Sequence, residues 1–493
     1  MKKRNKFSLS NYKLLTGKMG ELLPIGLTEV LPGDTIQQAT SALIRATPLT
    51  APVMHPVKVR IHHWFVPHRI VWSDWENFIT GGPDGNNSST FPTIDVSSAA
   101  VGSLADYLGI PTGVTSLVAS ALPFRAYALI WNEFYRDQDL DTELTVDLTD
   151  GIDTTTNKTL KNVSWEKDYF TSCRAWEQKG TEVSLPLGTT APVIGDGNII
   201  QVKGDVEDTD RSVKIANADD KLFANNFGAA SDEFAKFSTT QTGLDADLTN
   251  ATAASINELR EAFALQRYKE ARARYGSRYT EYLRYLGIRS SDARLQRPEY
   301  LGGGRQTIQF SEVLQTGVDS SDAGVASLKG HGIGAMRSNR YRRFFEEHGY
   351  IVSVLSVVPK AIYSDGLCRT WNRTTKEDFY QKELEHIGQQ QVLNKEVYAS
   401  HSTPDGTFGY QDRYDEYRRG VSSIAGQMRD STYNNWHFAR IFGSDPALNS
   451  TFTNCTPAVR PFADQTNDNM VIMANHSIQA RRMIAKNTGS FGV

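Results

Sequence analysis

Cysteine is scarce. Cys173, Cys368 and Cys455 stand far apart in a 493-residue chain, with no CxxC pair among them. That count excludes a disulfide framework and a zinc knuckle, and it fits a reducing compartment. No stretch reaches the ~18 apolar residues that a membrane-spanning helix needs. The basic opening MKKRNKFSLSNYK lacks the apolar core of a secretory leader. The expectation is a protein made and held in cytoplasm until something releases it, without membrane insertion. A surplus of charge is missing as well. Lys and Arg number 53, Asp and Glu 56, for a formal net charge of −3. A dedicated nucleic-acid-binding domain rests on clustered cations, so such a role has to be confined to a local face.

The signatures of catalysis are also missing. Gly302-Gly303-Gly304 is followed by Arg305-Gln306 rather than Lys-Ser/Thr, so it is not a phosphate-cradling loop; a turn or a close backbone approach explains it better. GxSxG, HExxH and a strand-to-helix GxGxxG do not occur. His55, His62, His63 and His68 fall close together, and zinc favours imidazole. In a strand, however, His62 and His63 point to opposite faces, and His55 and His68 flank its two ends. These are read as packing or interface histidines. Glu346-Glu347 and Glu383/Glu385 lie in charged surroundings, and spacing alone does not make an acid–base couple. No catalytic residue, no metal site and no cofactor is assigned.

What is present is periodicity of two kinds. From Val57 to Val66, apolar and polar residues alternate between Pro56 and Pro67, the pattern of a strand with one buried face. Further β-like runs appear at 350–359 and 407–411. Over 124–136 the period changes. Phe124, Tyr127, Ala128, Trp131, Phe134 and Tyr135 recur at helical spacing behind Pro123. Strands separated by long loops and occasional helices predict an antiparallel sandwich with large insertions rather than βαβ repeats.

Two neighbouring segments depart from the rest. Residues 189–252 carry eleven carboxylates against five cations and lack Trp, Tyr and Cys, which reads as a solvated excursion. The longest helical candidate follows, over 254–286. Across 260–297, ten Lys/Arg face four Asp/Glu. A solvated helix face shows the same charge run.

Several blocks resemble the major capsid proteins of microviruses, most closely their gokushovirus branch. These are MGELLPIGLTEVLPGDT (19–35), SALIRATPLTAPVMHPVKVRIHHWFVPHRIVWSDWENFITGG (41–82), LPFRAYALIWNEFYRDQ (122–138), DYFTSCRAWEQKGTEVSLPLG (168–188), SRYTEYLRYLGIRSSDARLQRPEYLGGG (277–304), EVLQTG (312–317) and FGYQDRYDEYRRGVSSIAGQMRD (408–430). The resemblance implies a mainly β protein, a single eight-stranded antiparallel jelly-roll sandwich with long inserted loops and a few helices. It implies assembly into a small T=1 icosahedral shell around the circular single-stranded DNA of a bacteriophage. The companions it implies are a spike protein, a small basic DNA-binding protein, an internal scaffolding protein and a host receptor.

On this reading the chain divides into an N-terminal basic arm (1–20), a first part of the jelly roll (21–188), an acidic surface insertion (189–252) in the place of a threefold protrusion, and the rest of the jelly roll (253–493). Lys2, Lys3, Arg4 and Lys6 are the candidate DNA contacts; a terminus that binds nothing is the alternative. Arg337, Arg340, Arg342 and Arg343 form a second basic cluster, either lining the interior or forming a subunit interface. Aromatic–arginine mixtures such as RYGSRYTEYLRYLGIR suit subunit contacts. The competing reading is a jelly-roll carbohydrate-binding module that does not assemble.

Overall fold

The computed structural model describes residues 4–183, 193–204, 210–215, 222–224, 235–238, 244–246, 256–276, 278–314, 316, 324 and 327–485. It is divided into two compact units: Gly180–Lys269, and the remainder of the chain.

The larger unit is built on ten strand segments: β1 (Asn5–Ser8), β2 (Asn11–Gly17), β3 (Leu23–Val30), β4 (Thr35–Ala46), β5 (Val57–Pro67), β6 (Glu299–Leu314), β7 (Leu328–Arg337), β8 (Tyr341–Phe344), β9 (Gly349–Pro359) and β10 (Met470–Arg482). β1 and β2 both pair antiparallel with β10, and β7 and β8 both pair with β4. Each couple is therefore one interrupted strand, and eight strands remain. One sheet runs β1/β2–β10–β4–β7/β8; the other runs β3–β9–β5–β6. β6 joins them, pairing with β5 through Ile308 and with β7 from Gln309 onward. Counted along the chain, the first, eighth, third and sixth strands form one sheet and the second, seventh, fourth and fifth the other. This is the jelly-roll order, and the mainly β expectation holds.

The core lies between the sheets. Leu23 and Ile25, Ala42 and Ile44, Val57, Val59 and Ile61, Leu355 and Val357, and Ile472 and Ala474 are buried there together. Alternation predicted β5 correctly in its first half, where Lys58 and Arg60 are only part-buried. From His63 to Pro67 every residue is buried, so the expectation of one wet face fails there. Trp64 and Val66, with Val352, Val354 and Val358 of β9, pack under the insertion that follows β5. Its helix α1 (Leu122–Phe134) brings Phe124, Tyr127, Ile130 and Trp131 onto them. A strand covered on both faces has no reason to alternate.

The glycine triplet sits in β6 against β5. A Cβ at Gly303 would lie 2.3 Å from the Ile61 carbonyl oxygen, and one at Gly304 would lie 3.0 Å from Ser338 Cα. Close backbone approach, not phosphate binding, explains these two glycines.

The basic helix predicted over 254–286 forms as two, α2 (Ile256–Tyr275) and α3 (Tyr279–Tyr285). The break falls at Gly276, whose φ of +95° only glycine adopts easily. Among the described residues of α2, Ala273 alone is buried, and Phe263 is exposed.

The segment expected to be an arm is ordered from Asn5 onward as the outer strand of a sheet. Its side chains explain the difference: Lys13 turns inward and donates to the Pro24 carbonyl at 3.1 Å, while Tyr12 and Leu14 face out. In the smaller unit the described residues of the acidic segment form short antiparallel pairs: Gln201–Gly204 with Arg211–Ile215 and Ala235–Phe237, and Val193–Gly195 with Leu244–Ala246. Among the described residues no helix is long and apolar enough to cross a membrane.

Candidate nucleic-acid and assembly surfaces

The two faces of the β1/β2–β10–β4–β7/β8 sheet differ. The inner one is core; the outer one is uncovered, and its residues follow from the register. Lys6 stands opposite Arg481, Arg481 opposite Thr35, and Thr35 opposite Phe344. The next outward row is Ser8, Gln479, Gln37 and Arg342. Further along come Tyr12, Asn475, Ser41 and Arg337, then Leu14, Met473, Leu43 and Ala335, then Thr16, Val471, Arg45 and Ile333. At the β6 edge, His331 and Lys329 continue the face. None of these outward positions holds Asp or Glu, although the chain has 56 of them. Lys6, Arg45, Lys329, Arg337, Arg342 and Arg481 are all exposed.

Arg4 joins this face from the chain start. Its guanidinium lies 5.3 Å from the centre of the Phe344 ring and donates to the Gly33 carbonyl and to Thr35 Oγ1. The structure thus places Lys6 and Arg342 on one sheet face, with two strands between them and Arg4 stacked on the neighbouring Phe344. Arg337 lies on the same face farther along, and Arg340 is exposed in the turn between β7 and β8. Arg343 does not join them; it pairs with Glu299 of β6 at 2.8 Å. Lys2 and Lys3 lie outside the described residues. Sequence reasoning missed Arg481, Arg45 and Lys329. The alternation of MVIMANHSIQARR (470–482) is the signal that would have placed Arg481 on an outward face.

The opposite end of this face is apolar, with Tyr12, Leu14, Val471 and Met473 exposed. A second exposed aromatic set follows α2: Tyr275, Tyr279, Tyr282 and Tyr285, with the Tyr275 and Tyr285 rings 4.9 Å apart. Aromatic residues of this kind suit contacts with other subunits.

The histidines serve the fold. His63 lies between the sheets, its Nδ1 2.8 Å from Ser353 Oγ and its Nε2 3.2 Å from Ser338 Oγ. Burial, with His476 and His62 nearby, holds it down to about 3. His476 is likewise buried, against Thr40 Oγ1 and the Ile25 carbonyl. His62 points the other way, 2.6 Å from Tyr135 Oη. Among the described residues no three His, Cys, Asp or Glu side chains converge as metal ligands would. Glu347 is paired with Arg69, and Glu383 and Glu385 are surface groups. Cys173 and Cys455 are buried thiols whose pKa burial pushes up, the reverse of a nucleophile's need.

The chain matches the family model "Capsid protein (F protein)" over residues 1–489. It is 37% identical to capsid protein VP1 of Bdellovibrio phage phiMH2K, covering 91% of this chain and 87% of that one. It is 32% identical to capsid protein VP1 of Chlamydia phage 1, covering 94% and 91%, and 32% identical to that of Spiroplasma virus 4, covering 91% and 87%. A jelly roll with an exposed outer sheet face has the architecture of a shell subunit. The chain therefore belongs to the microvirus capsid protein (F protein) family, alongside the VP1 proteins of gokushoviruses, and is a structural major capsid protein of the virion.

Proposed function

We propose that the chain closes into a T=1 icosahedral shell around circular single-stranded DNA, with the acid-free face of the β1/β2–β10–β4–β7/β8 sheet turned toward the genome. The observation that carries this reading is the absence of any carboxylate from the outward positions of that face, in a chain of slightly negative net charge. A polyanion packed against mixed charge meets repulsion as often as attraction. A face whose strand positions carry Lys6, Arg45, Lys329, Arg337, Arg342 and Arg481 and no acid offers attraction without that repulsion. Tyr12 and Phe344 add exposed rings on which bases can stack.

The 189–252 segment then belongs to the exterior, as a protrusion serving host attachment. Assembly takes place in host cytoplasm with a scaffolding protein, and the mature particle adds a spike protein and a small basic DNA-binding protein; these companions are carried over from the family resemblance. The test neutralises Lys6, Arg342 and Arg481 together as glutamines. Each cation removed from a phosphate lowers the salt slope of single-strand binding by about 0.7, so the triple variant loses about two. Shells that keep the wild-type slope and DNA content would turn this face away from the genome.

A further inference from the structure

Beside the stretch of β6 that pairs with β5, and next to the end of β7, a cavity of about 490 Å³ opens, a size suited to a small ligand. Arg60, His62, Tyr300, Arg305, Arg337 and Asn339 line it. Arg60 and Arg305 stand directly opposite each other in the ladder, an arrangement that like charges disfavour. One carboxylate nearby offsets them: Glu166 accepts from both Arg60 and Lys58. Among the described residues Arg305 and Arg337 have no ion-pair partner. Burial and the neighbouring Arg305 both push the Arg60 guanidinium below its usual pKa, and Lys58 is lowered by burial, Arg60 and Arg305. The crowding is thus a strain that an anion between the guanidinium groups would relieve.

The rest of the cavity has aromatic character. Tyr300 is half exposed, its ring edge-on to His62 at 5.7 Å. The strand beneath it approaches closely because Gly303 has no side chain; a Cβ there would come within 2.7 Å of Tyr300 Oη. A positive wall and a flat exposed ring together match a phosphate attached to a planar base.

We propose that this cavity holds one nucleotide unit of the enclosed single strand, its phosphodiester between the guanidinium groups of Arg60, Arg305 and Arg337 and its base on the Tyr300 ring. The proposal rests on the genome-facing reading of the adjacent sheet face, which Arg337 borders. It adds to that reading a fixed position for one base among many interchangeable phosphate contacts.

The test uses the purified full-length chain and two probes, a short fluorescent oligothymidylate and its abasic analogue, titrated over a range of salt. Arg305→Gln, at an exposed position, weakens both probes and lowers the salt slope by about 0.7. Tyr300→Leu weakens the oligothymidylate by about fivefold or more and leaves the abasic strand unchanged. If Arg305→Gln leaves affinity and slope intact while the Lys6, Arg342 and Arg481 triple variant loses both, the cavity is not a nucleotide site and the sheet-face reading stands. If neither variant matters, both readings fall. Should Arg305→Gln alter only the binding of added inorganic phosphate, the cavity is a free-anion site and the nucleotide assignment is overturned. Equal weakening of both probes by Tyr300→Leu would remove the base from the Tyr300 ring.

Discussion

Arg125 Nε donates to Asp153 Oδ2 at 2.8 Å, and both side chains are completely shielded from solvent. The same guanidinium reaches the carbonyls of Val71 and Thr149, so one side chain ties α1 to the segment leaving β5 and to the strand at Ile152–Asp153. Removing one partner strands the other charge in the interior. Arg125→Met is expected to lower the unfolding free energy by about 3–5 kcal/mol. The double variant Arg125→Met/Asp153→Leu should recover most of that loss, since no unpaired charge remains. Denaturant titration of the purified subunit checks both. A single variant as stable as the parent chain would mean that the pair does not hold this insertion to the sandwich.

Acid should loosen the sandwich through its histidines before its carboxylates. Burial holds His63 down to about 3, and His55 and His68 to about 4, against about 6.5 unfolded. A base with a lowered folded pKa stays neutral in the native state while the unfolded chain takes up the proton. Stability is therefore complete above about 6.5 and falls as pH drops toward the folded values. Near pH 5 the loss is about 2 kcal/mol per histidine. Asp153 acts at lower pH. Burial raises its pKa, but hydrogen bonds from Thr156 and Arg125 outweigh that and leave it below 3.8, so its contribution is lost only as pH falls past 3.8 toward its folded value. Melting temperatures recorded from neutral pH downward should decline through the histidine window. A flat profile down to about pH 4.5 would show these imidazoles to be hydrated.

Removing residues 1–17 deletes two strand segments, not a tail. The outward edge of β10 would then be unpaired along its length, and open edges recruit other chains. The expected product is aggregated or unassembled protein, read by sedimentation and electron microscopy. Shells of normal size with reduced DNA content would instead restore the arm reading, in which only Lys2, Lys3, Arg4 and Lys6 matter.

How much of this was legible in the sequence differs from residue to residue. β5 declared itself in Val57, Val59 and Ile61, because only one of its faces is dry there. The opposed directions of His62 and His63 followed from the same alternation. β2 did not, because Lys13 faces inward while Tyr12 and Leu14 face water, so the pattern that marks a half-buried strand is broken there. The acid-free face was illegible for another reason. Lys6, Arg45, Arg337 and Arg481 come from four distant stretches of chain, and only strand order places them on one surface; no window of sequence contains it. The pairing of Arg343 with Glu299 was hidden in the same way, within a run of cations that looked uniform.

The acidic insertion gives the last prediction. The unit Gly180–Lys269 is compact by itself, and its described strands pair among themselves rather than with the sandwich. The sandwich core, in contrast, draws its residues from β2 through β10 and from the inserted α1 region, all outside that unit. Replacing residues 180–269 by a short Gly/Ser linker should therefore remove little of what holds the jelly roll together. The melting temperature should stay within about 5 °C of the parent, and particles should still form, with a changed outer surface and weaker attachment to host cells. Circular dichroism and negative-stain microscopy report the first two outcomes, and an adsorption assay the third. Loss of all folded protein would mean that the sandwich depends on this segment for its own stability, and the segment could not then be a free surface elaboration.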